Sequence, residues 1–185
     1  PSTPADYVGC WNAAVLSRDP VLIIDDHRLV KTTGVLPAAG LDYVVPFGTA
    51  RLVRPGSDVT VLTWGYAATR VAEVVAALAE DGIEAEVLDP RWLDEPSFPR
   101  AAVLESVGRT GALVIAEDAQ HTLSMGPRIL DYLQPDLHAL LRTAPLRVTG
   151  LDAYSPVSKP LETFVHIQDA DIRAALIAAA GKDEA

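Results

Sequence analysis

The sequence predicts an α/β fold of three layers, α/β/α, with a mostly parallel five-stranded sheet and one antiparallel edge strand. The first observation is the short, β-branched run at residues 59–64, which stops at Gly65 as a buried strand does. The second is an apolar stripe at positions 71, 74, 75 and 78, which has the spacing of one helical face. The third is a further strand pattern at residues 83–87, after Asp81-Gly82 end the helix. A strand, a helix and a strand in this order predict a parallel pair with a right-handed crossover.

The N-terminal region predicts a helix, a buried strand and a linker. Residues 4–17 carry an apolar helical stripe, and Asp19-Pro20 close this helix because the residue before proline is disfavoured in the α region. The stripe consists of Tyr7, Val8, Trp11, Ala14 and Val15. Residues 21–24 are all apolar, which predicts a strand buried on both faces. Residues 29–47 have no period and several glycines and prolines, which is typical of a linker.

The remaining elements follow in order. Residues 50–54 alternate before the turn Pro55-Gly56, which predicts the antiparallel edge strand. The pattern then predicts a helix over 99–107, a strand over 112–116, a helix over 124–133, a strand over 146–148, a proline-bearing loop over 155–160 and a helix over 169–180. We expect Asp169 to cap the last helix and Gly181 to end it.

Composition restricts the class of partner and the compartment. A formal charge of −10 argues against nucleic acid and anionic membranes as partners. No segment has the apolar length of a membrane span, and the N-terminal residues have neither the basic start nor the apolar core of a signal peptide. The single cysteine, Cys10, excludes an internal disulfide. These features predict a cytoplasmic protein.

The sequence by itself identifies no catalytic, cofactor-binding or metal-binding residue. It contains no dinucleotide fingerprint, phosphate-binding loop, paired metal ligands or nucleophile elbow. Polar residues do follow the parallel strands, where open α/β sheets bind ligands. The candidate interface or ligand residues are Asp89, Arg91, Glu117, Asp118, His121, Asp152 and Tyr154. The alternative is that these residues only cap helices and make the strand ends polar.

Two of the candidate features have alternatives of their own. His121 could protonate near neutral pH and face Glu117 or Asp118, or it could be an ordinary exposed loop histidine. Asp25 and Asp26 could form a carboxylate site, although neighbouring residues of a strand face opposite ways.

The order of several sequence blocks resembles the β subunits of 2-oxo acid dehydrogenase E1 components. The specific blocks are the run from Gly56-Ser57-Asp58 to Trp64-Gly65 and the run Leu88-Asp89-Pro90-Arg91. Further blocks are Pro1 to Asp6, Asp19-Pro20-Val21, Val45-Pro46-Phe47-Gly48, Thr110-Gly111, the strand up to Glu117, and Val148-Thr149-Gly150-Leu151-Asp152. Together they cover nearly the whole chain. They are similar to the end of the pyrimidine-binding domain followed by the transketolase C-terminal domain.

The resemblance implies a division of the chain and a role in an assembled enzyme. Residues 1–30 would be a helix and a strand left from the pyrimidine-binding domain, residues 31–48 a linker, and residues 49–185 the transketolase C-terminal-like domain. Thiamine diphosphate and Mg²⁺ would be bound only in the assembled enzyme, because the family's cofactor-activating glutamate lies earlier than these residues. The implied substrate is pyruvate or a branched-chain 2-oxo acid.

The resemblance also implies the partners. They would be the E1 α subunit or the missing catalytic half, and the lipoyl acyltransferase (E2) core, in a homo- or hetero-oligomer that is inactive without them. Since the apolar faces of residues 1–30 would lack covering partners, we expect self-association or pairing with the missing half. The alternative is a stand-alone ligand- or protein-binding module that uses the strand-end pocket.

Two departures from the family pattern concern individual loops. Leu123-Ser124 stand where the family often has two glycines, which puts the tight backbone turn of the family in question. Residues 16–19 occupy a loop that can hold a monovalent cation in the family, and Arg18 disfavours a cation there.

Overall fold

A computed structural model describes residues 1–182 and has the predicted architecture. The helices are α1 (Pro4–Leu16), α2 (Tyr66–Glu80), α3 (Arg100–Thr110), α4 (Gly126–Leu140), α5 (Lys159–Val165) and α6 (Asp169–Ala180), and the strands are β1 (Arg51–Arg54), β2 (Val59–Thr63), β3 (Ala85–Asp89), β4 (Leu113–Gln120) and β5 (Leu146–Gly150). The sheet order is β1-β3-β2-β4-β5. Strands β2 to β5 are parallel, whereas β1 is antiparallel to β3.

Helices cover both faces of the sheet, so the three-layer prediction is confirmed. On one face, α2 and α6 bury Val71, Val75 and Leu176 against the sheet. On the other face, α3 and α4 bury Val103 and Leu133 against it. None of the helices in residues 1–182 has the length and apolar character that crossing a membrane requires.

The first βαβ unit forms as its sequence predicts. Every residue of β2 and β3 is buried, and the two strands pair in parallel with Val61 opposite Val87. Helix α2 ends at Glu80 with Asp81 as its C-cap, and Gly82 adopts a φ of +78°, a conformation that glycine reaches without steric cost. This unit forms the centre of the sheet and places the end of β3 beside the N-terminal region.

The prediction of a buried strand at residues 21–24 is wrong. This segment has no strand structure, and the side chains of Leu22 and Ile24 are 85% and 76% exposed. A strand needs a hydrogen-bonded neighbour, and the five described strands form one sheet that does not include this segment. The helix expected before it is present as α1, so only half of the predicted helix-plus-strand unit of residues 1–30 forms.

Helix α1 also buries a different face from the one that its apolar stripe predicts. Tyr7, Trp11 and Val15 are exposed, whereas Cys10 and Ala13 are buried in a small cluster. The buried face contains Gly9, where the segment around Val45 packs closely against the helix backbone. A Cβ atom on Gly9 would lie 2.5 Å from the Val45 side chain, so glycine is needed for this contact.

Other differences concern neighbours and boundaries. The predicted antiparallel edge strand β1 is confirmed, and its neighbour is β3.

Helix α4 continues past Pro135, because Leu137 packs into the core, and α5 starts inside the predicted loop. The expectation that Asp169 caps α6 is wrong, because Asp169 is its first helical residue and Gln168 holds the N-cap position without a side-chain cap bond; the helix ends, as predicted, at Gly181 with a φ of +67°. The final residues of the predicted C-terminal domain, 183–185, lie outside the described part.

The turn between β1 and β2 generates the first testable prediction. A Cβ atom on Gly56 would lie 2.2 Å from the Ala85 carbonyl carbon and 2.3 Å from the Glu86 nitrogen, which are backbone atoms of β3. We expect Gly56→Ala to lower the free energy of unfolding by about 1–3 kcal/mol, because the turn must move away from β3. Urea unfolding followed by circular dichroism measures this change.

Gly108→Ala is the matched control. Gly108 lies inside α3, and a Cβ atom there would meet only the Leu140 side chain, at 3.7 Å. Since alanine favours helix, this variant should be unchanged or more stable by up to about 1 kcal/mol. Equal stabilities of the two variants would contradict the close approach at Gly56.

Candidate functional site

The strand-end candidates do not line one open pocket. They divide into four places: the end of β3, the end of β4, the start of α4, and the exposed loops that follow β4 and β5. At the first two places, the partners come largely from the N-terminal residues.

The first place is a buried group of charges at the end of β3. Asp89 accepts hydrogen bonds from the Arg91 backbone N–H at 2.9 Å and from Arg51 Nη2 at 3.0 Å. Arg91 Nη1 lies 3.5 Å from Asp6 Oδ1 and 3.4 Å from the Tyr43 hydroxyl. Arg51 Nε lies 3.3 Å from the other oxygen of Asp6. We call Asp6, Arg51, Asp89 and Arg91 the β3 clasp, because they join α1 to β1 and β3.

Arg91 adopts an unusual backbone conformation in the β3 clasp. Its φ of +61° is uncommon for a residue with a side chain and costs free energy. In this conformation its N–H bonds to Asp89 and its side chain forms an ion pair with Asp6. The strain is therefore held in place by the two carboxylates, one from the strand and one from α1.

The second place centres on Arg28, from the segment after residues 21–24. Its guanidinium donates to Asp26 through Nε at 2.9 Å and also through Nη2, and to Asp118 Oδ2 at 2.7 Å. It lies over the ring of Tyr66, 4.1 Å from the ring centroid. The other oxygen of Asp118 is 2.9 Å from His166 Nδ1. We call Asp26, Arg28, Asp118 and His166 the β4 clasp.

The charges of the β4 clasp stabilise one another. The side-chain hydrogen bond to Asp26 is the largest cause that raises the pKa of Arg28. Burial alone would raise the pKa of the Asp26 carboxyl, but the hydrogen bonds and positive charge of Arg28 lower it below its usual range. Both groups therefore remain charged from neutral pH into acid.

The third place is the start of α4, where Glu117 caps the helix. Its carboxylate accepts hydrogen bonds from the N–H groups of Met125 at 3.0 Å and Gly126 at 2.8 Å, and it lies 3.7 Å from Arg147. A carboxylate at this helix end satisfies free N–H groups and complements the helix dipole. A Cβ atom on Gly126 would lie 2.4 Å from Glu117 Oε1, so glycine is needed at this contact.

The loop before α4 closes without the glycine pair that is frequent in the family. Arg147 Nη2 donates to Ser124 Oγ at 2.6 Å and to the His121 carbonyl at 2.8 Å. Neither Leu123 nor Ser124 has a positive φ. The turn is therefore held by a side chain from β5, and the single glycine that the packing requires is Gly126.

The fourth place consists of exposed loops. His121 Nδ1 lies 3.1 Å from Thr149 Oγ1, and its ring contacts neither Glu117 nor Asp118, so the proposed pairing with those carboxylates is wrong. The reason is that both carboxylates are engaged elsewhere. Asp152 accepts from the backbone and hydroxyl of Thr122, and these hydrogen bonds, the hydroxyl's first, lower its pKa. Tyr154 is 95% exposed.

Sequence reasoning missed the residues that complete the two clasps. They are Asp6, Arg28, Arg51 and His166, with Tyr43 at the edge of the β3 clasp. The abrupt change from apolar residues to Asp25-Asp26-His27-Arg28 was a signal for the second clasp. Nothing comparable marks Asp6, which reads as an ordinary acidic residue in the first turn of a helix.

The arrangement is suited to attachment of the N-terminal residues more than to ligand chemistry. Asp89, Glu117 and Asp118 are each engaged by arginine, histidine or backbone N–H groups. Within residues 1–182, no group of three or more histidine, cysteine, aspartate or glutamate side chains could hold a metal ion. Burial raises the pKa of the Cys10 thiol to about 11, which keeps it in the unreactive protonated form.

A cavity of about 440 Å³ lies beside the β4 clasp, and Asp26 of that clasp forms part of its wall. It is formed by the start of α1 and by the segment that includes Asp25, Leu29 and Leu36. Its walls are therefore built from the N-terminal residues themselves.

Comparisons with known proteins identify relatives along the whole chain. The family model described as transketolase, C-terminal domain, matches residues 48–172. The beta subunit of acetoin:2,6-dichlorophenolindophenol oxidoreductase from Cupriavidus necator is 33% identical over 183 residues, 98% of this chain and 51% of that protein. The beta subunit of 2-oxoisovalerate dehydrogenase from Bacillus subtilis is 32% identical, over 95% of this chain and 53% of that protein.

A solved structure shares the fold. It is a split-gene transketolase described as an inactive beta4 tetramer, with a TM-score of 0.64 and 25% identity, and the match covers 82% of this chain and 48% of that one. This chain spans about half the length of the curated relatives that it matches.

The β4 clasp generates the second prediction. Arg28→Gln keeps a polar side chain but removes the charge that Asp26 and Asp118 share. Since hydrogen bonds to charged groups contribute about 1.5–3 kcal/mol, we expect amide exchange of Leu29 and Thr32 to accelerate about tenfold or more. Hydrogen exchange followed by NMR measures this effect.

Arg18→Gln serves as the control, because Arg18 is exposed and makes no ion pair within the described residues. The pH dependence adds a second test. Because the pKa of Asp26 is lowered on folding, its contribution to stability is present above the unfolded-state pKa and lost as pH falls through the folded value. Protection of Leu29 that is lost between pH 7 and pH 5 would contradict this assignment.

Proposed function

The chain belongs to the transketolase C-terminal domain family, and on that premise we propose that it is the C-terminal part of an E1 β-type subunit. The assembled enzyme would be a thiamine diphosphate-dependent dehydrogenase acting on a 2-oxo acid, of the pyruvate or branched-chain type, or on acetoin. The observation that carries this proposal is the match with E1 β-type relatives over as much as 98% of the chain, well beyond the family domain at residues 48–172.

The proposed role of the chain is assembly. Residues 1–30 would be the end of a pyrimidine-binding domain, residues 31–48 a linker, and the rest the C-terminal domain. The β3 and β4 clasps support this role, because they attach Asp6 and Arg28 to the carboxyl ends of these two strands. The exposed apolar side chains of Trp11, Leu22 and Ile24 would then be the apolar surface that the remaining half of the enzyme covers.

Several partners and a compartment follow from the proposal. The apolar surface would pair with the catalytic half or the E1 α subunit, in a homo- or hetero-oligomer, and the C-terminal domain would contact the lipoyl acyltransferase core. We place the assembly in the cytoplasm, which suits the single reduced cysteine, Cys10.

Thiamine diphosphate and Mg²⁺ would be held by other parts of the assembled enzyme. The residues of this chain do not fit cofactor ligation, because the strand-end carboxylates Asp89, Glu117 and Asp118 already bind arginine or backbone N–H groups. The alternative of a stand-alone binding module needs an open pocket at the strand ends, and there Arg28 and Arg91 occupy the space between the carboxylates.

The third prediction concerns the cofactor. The 185-residue chain alone should neither bind thiamine diphosphate with Mg²⁺ at micromolar strength nor decarboxylate pyruvate or branched-chain 2-oxo acids. Isothermal titration calorimetry measures the binding, and the same titration after mixing with the catalytic half should give heat. Micromolar binding to the chain alone would overturn the proposal.

The fourth prediction concerns association. Covering an exposed leucine or isoleucine contributes about 1.5–3 kcal/mol, so the double variant Leu22→Asp, Ile24→Asp should weaken self-association or pairing with the catalytic half by at least tenfold. Analytical ultracentrifugation measures the dissociation constant.

Val157→Asp is the matched control, because Val157 is at least as exposed as Leu22 and Ile24 but lies in the loop after β5. A chain that stays monomeric at high concentration, alone and with the catalytic half, would refute the interface. So would a control variant that weakens association as much as the double variant.

A further inference from the structure

Strand β5 is an open edge of the sheet up to Gly150, where the backbone of residues 165–166 approaches it. It pairs with β4 and has no second neighbour among the described strands. An edge strand has a row of backbone N–H and C=O groups that can pair with another strand. The opposite edge is better protected, because β1 has a register irregularity and its arginines Arg51 and Arg54 are paired with Asp89 and Glu84.

A groove of about 300 Å³ lies beside this edge, between β5 and α6. It is lined by Leu146, Arg147, Val148, Thr149, Asp171, Ala174 and Ala175. Leu146 and Val148 pack into the core on the side of α6. Arg147 points to the other face of the sheet, where it binds Ser124, so its charge does not block the groove.

The side of the groove that α6 forms has one unpaired acidic residue and two small apolar residues among the described residues. Asp171 is exposed and makes no ion pair within residues 1–182, whereas its neighbours Asp169 and Arg173 are paired with Arg70 and Asp81. Ala174 and Ala175 are small and at least partly exposed, which leaves room for an incoming side chain. The groove therefore offers one free carboxylate, a shallow apolar floor and a row of backbone groups.

We propose that the β5 edge accepts an extended, basic segment of a partner protein as an added strand. A lysine or arginine of that segment would pair with Asp171, and small apolar side chains would cover Ala174 and Ala175. Addition of a strand to a sheet edge is a recurring mode of peptide recognition, in which backbone hydrogen bonds provide affinity and side-chain sites provide specificity.

Charge distinguishes this occupant from a second copy of the chain. Each copy has a formal charge of −10, so a second copy offers no net positive charge to Asp171. Two β5 strands would also bring no free cation to Asp171, because Arg147 is engaged with Ser124 and the His121 carbonyl. This site goes beyond the proposed function and is separate from the apolar surface at Leu22 and Ile24.

The experiment uses the ¹⁵N-labelled 185-residue chain and a capped hexapeptide of alternating lysine and valine. We expect chemical-shift changes at residues 146–150 and 171–175. Asp171→Asn should raise the dissociation constant about three- to fivefold, as for loss of an exposed ion pair. Asp169→Asn, in the same first turn of α6 but already paired with Arg70, should leave it within twofold.

Methylation of peptide nitrogens tests the backbone pairing without any change in the protein. In an added strand, alternate N–H groups face the edge. Of two peptides methylated at one or the other alternate set, one should lose at least tenfold in affinity and the other should keep it.

The proposal is overturned if both methylated peptides bind like the parent, if a glutamate–valine peptide binds equally, or if the shifts fall on residues 17–36. It is equally overturned if the free chain already forms dimers in which the β5 amides are protected, since the occupant would then be a second copy. A failure of the cofactor or ultracentrifugation tests leaves these results unaffected.

Discussion

The cost of burying carboxylates at the ends of β3 and β4 determines how the N-terminal residues lie on the sheet. Asp6 and Asp89 are almost fully buried, and the Asp118 side chain is 7% exposed. An unpaired charge in such a position is strongly unfavourable, so each must have a cation or several donors. Arg28 and Arg51 precede the sheet's central strands in the sequence, and they supply positive charge to Asp118 and Asp89. The position of α1 and of the segment after it follows from this requirement.

Because these carboxylates must be paired, the carboxyl ends of the strands in this sheet hold segments of the same chain. Open α/β sheets commonly bind ligands beyond the carboxyl ends of their strands. Here the same edge holds two parts of its own chain, through Arg91 at one clasp and Arg28 at the other. For the assembly role that we propose, such rigid internal contacts would present the exposed surface to the partner in one orientation.

The predictable part of the structure is the part in which local pattern and burial agree. Buried β-branched strands, the stripe of α2 and the glycine at 181 each point to one structure, and they form it. Residues 21–24 have a strand pattern, but the described sheet offers them no neighbour, so the pattern and the structure differ. The apolar stripe of α1 does not predict its buried face for a related reason. The segment around Val45 packs against α1 where the small residue Gly9 allows close approach.

The clasps were beyond sequence reasoning for a different reason. Strand ends could be recognised as polar, and Asp89, Arg91 and Asp118 were identified among the candidates. Which cation meets which carboxylate depends on side-chain direction across the layers, and Arg28 reaches a residue 90 positions away. A single sequence has no period or spacing that encodes such a contact.

These long separations also affect the order of events during synthesis. Asp6 and Arg91 are 85 positions apart, and Arg28 and Asp118 are 90 apart, so neither clasp can close until most of the sheet has been translated. At about 5–20 residues per second, the ribosome needs roughly 4–18 s to cover such an interval. During that time α1 and the apolar residues 21–24 are without their attachment, and nascent-chain chaperones have access to them. Residues 1–30 are thus translated before the strand ends that hold them, and they become fixed only after those strand ends have been made.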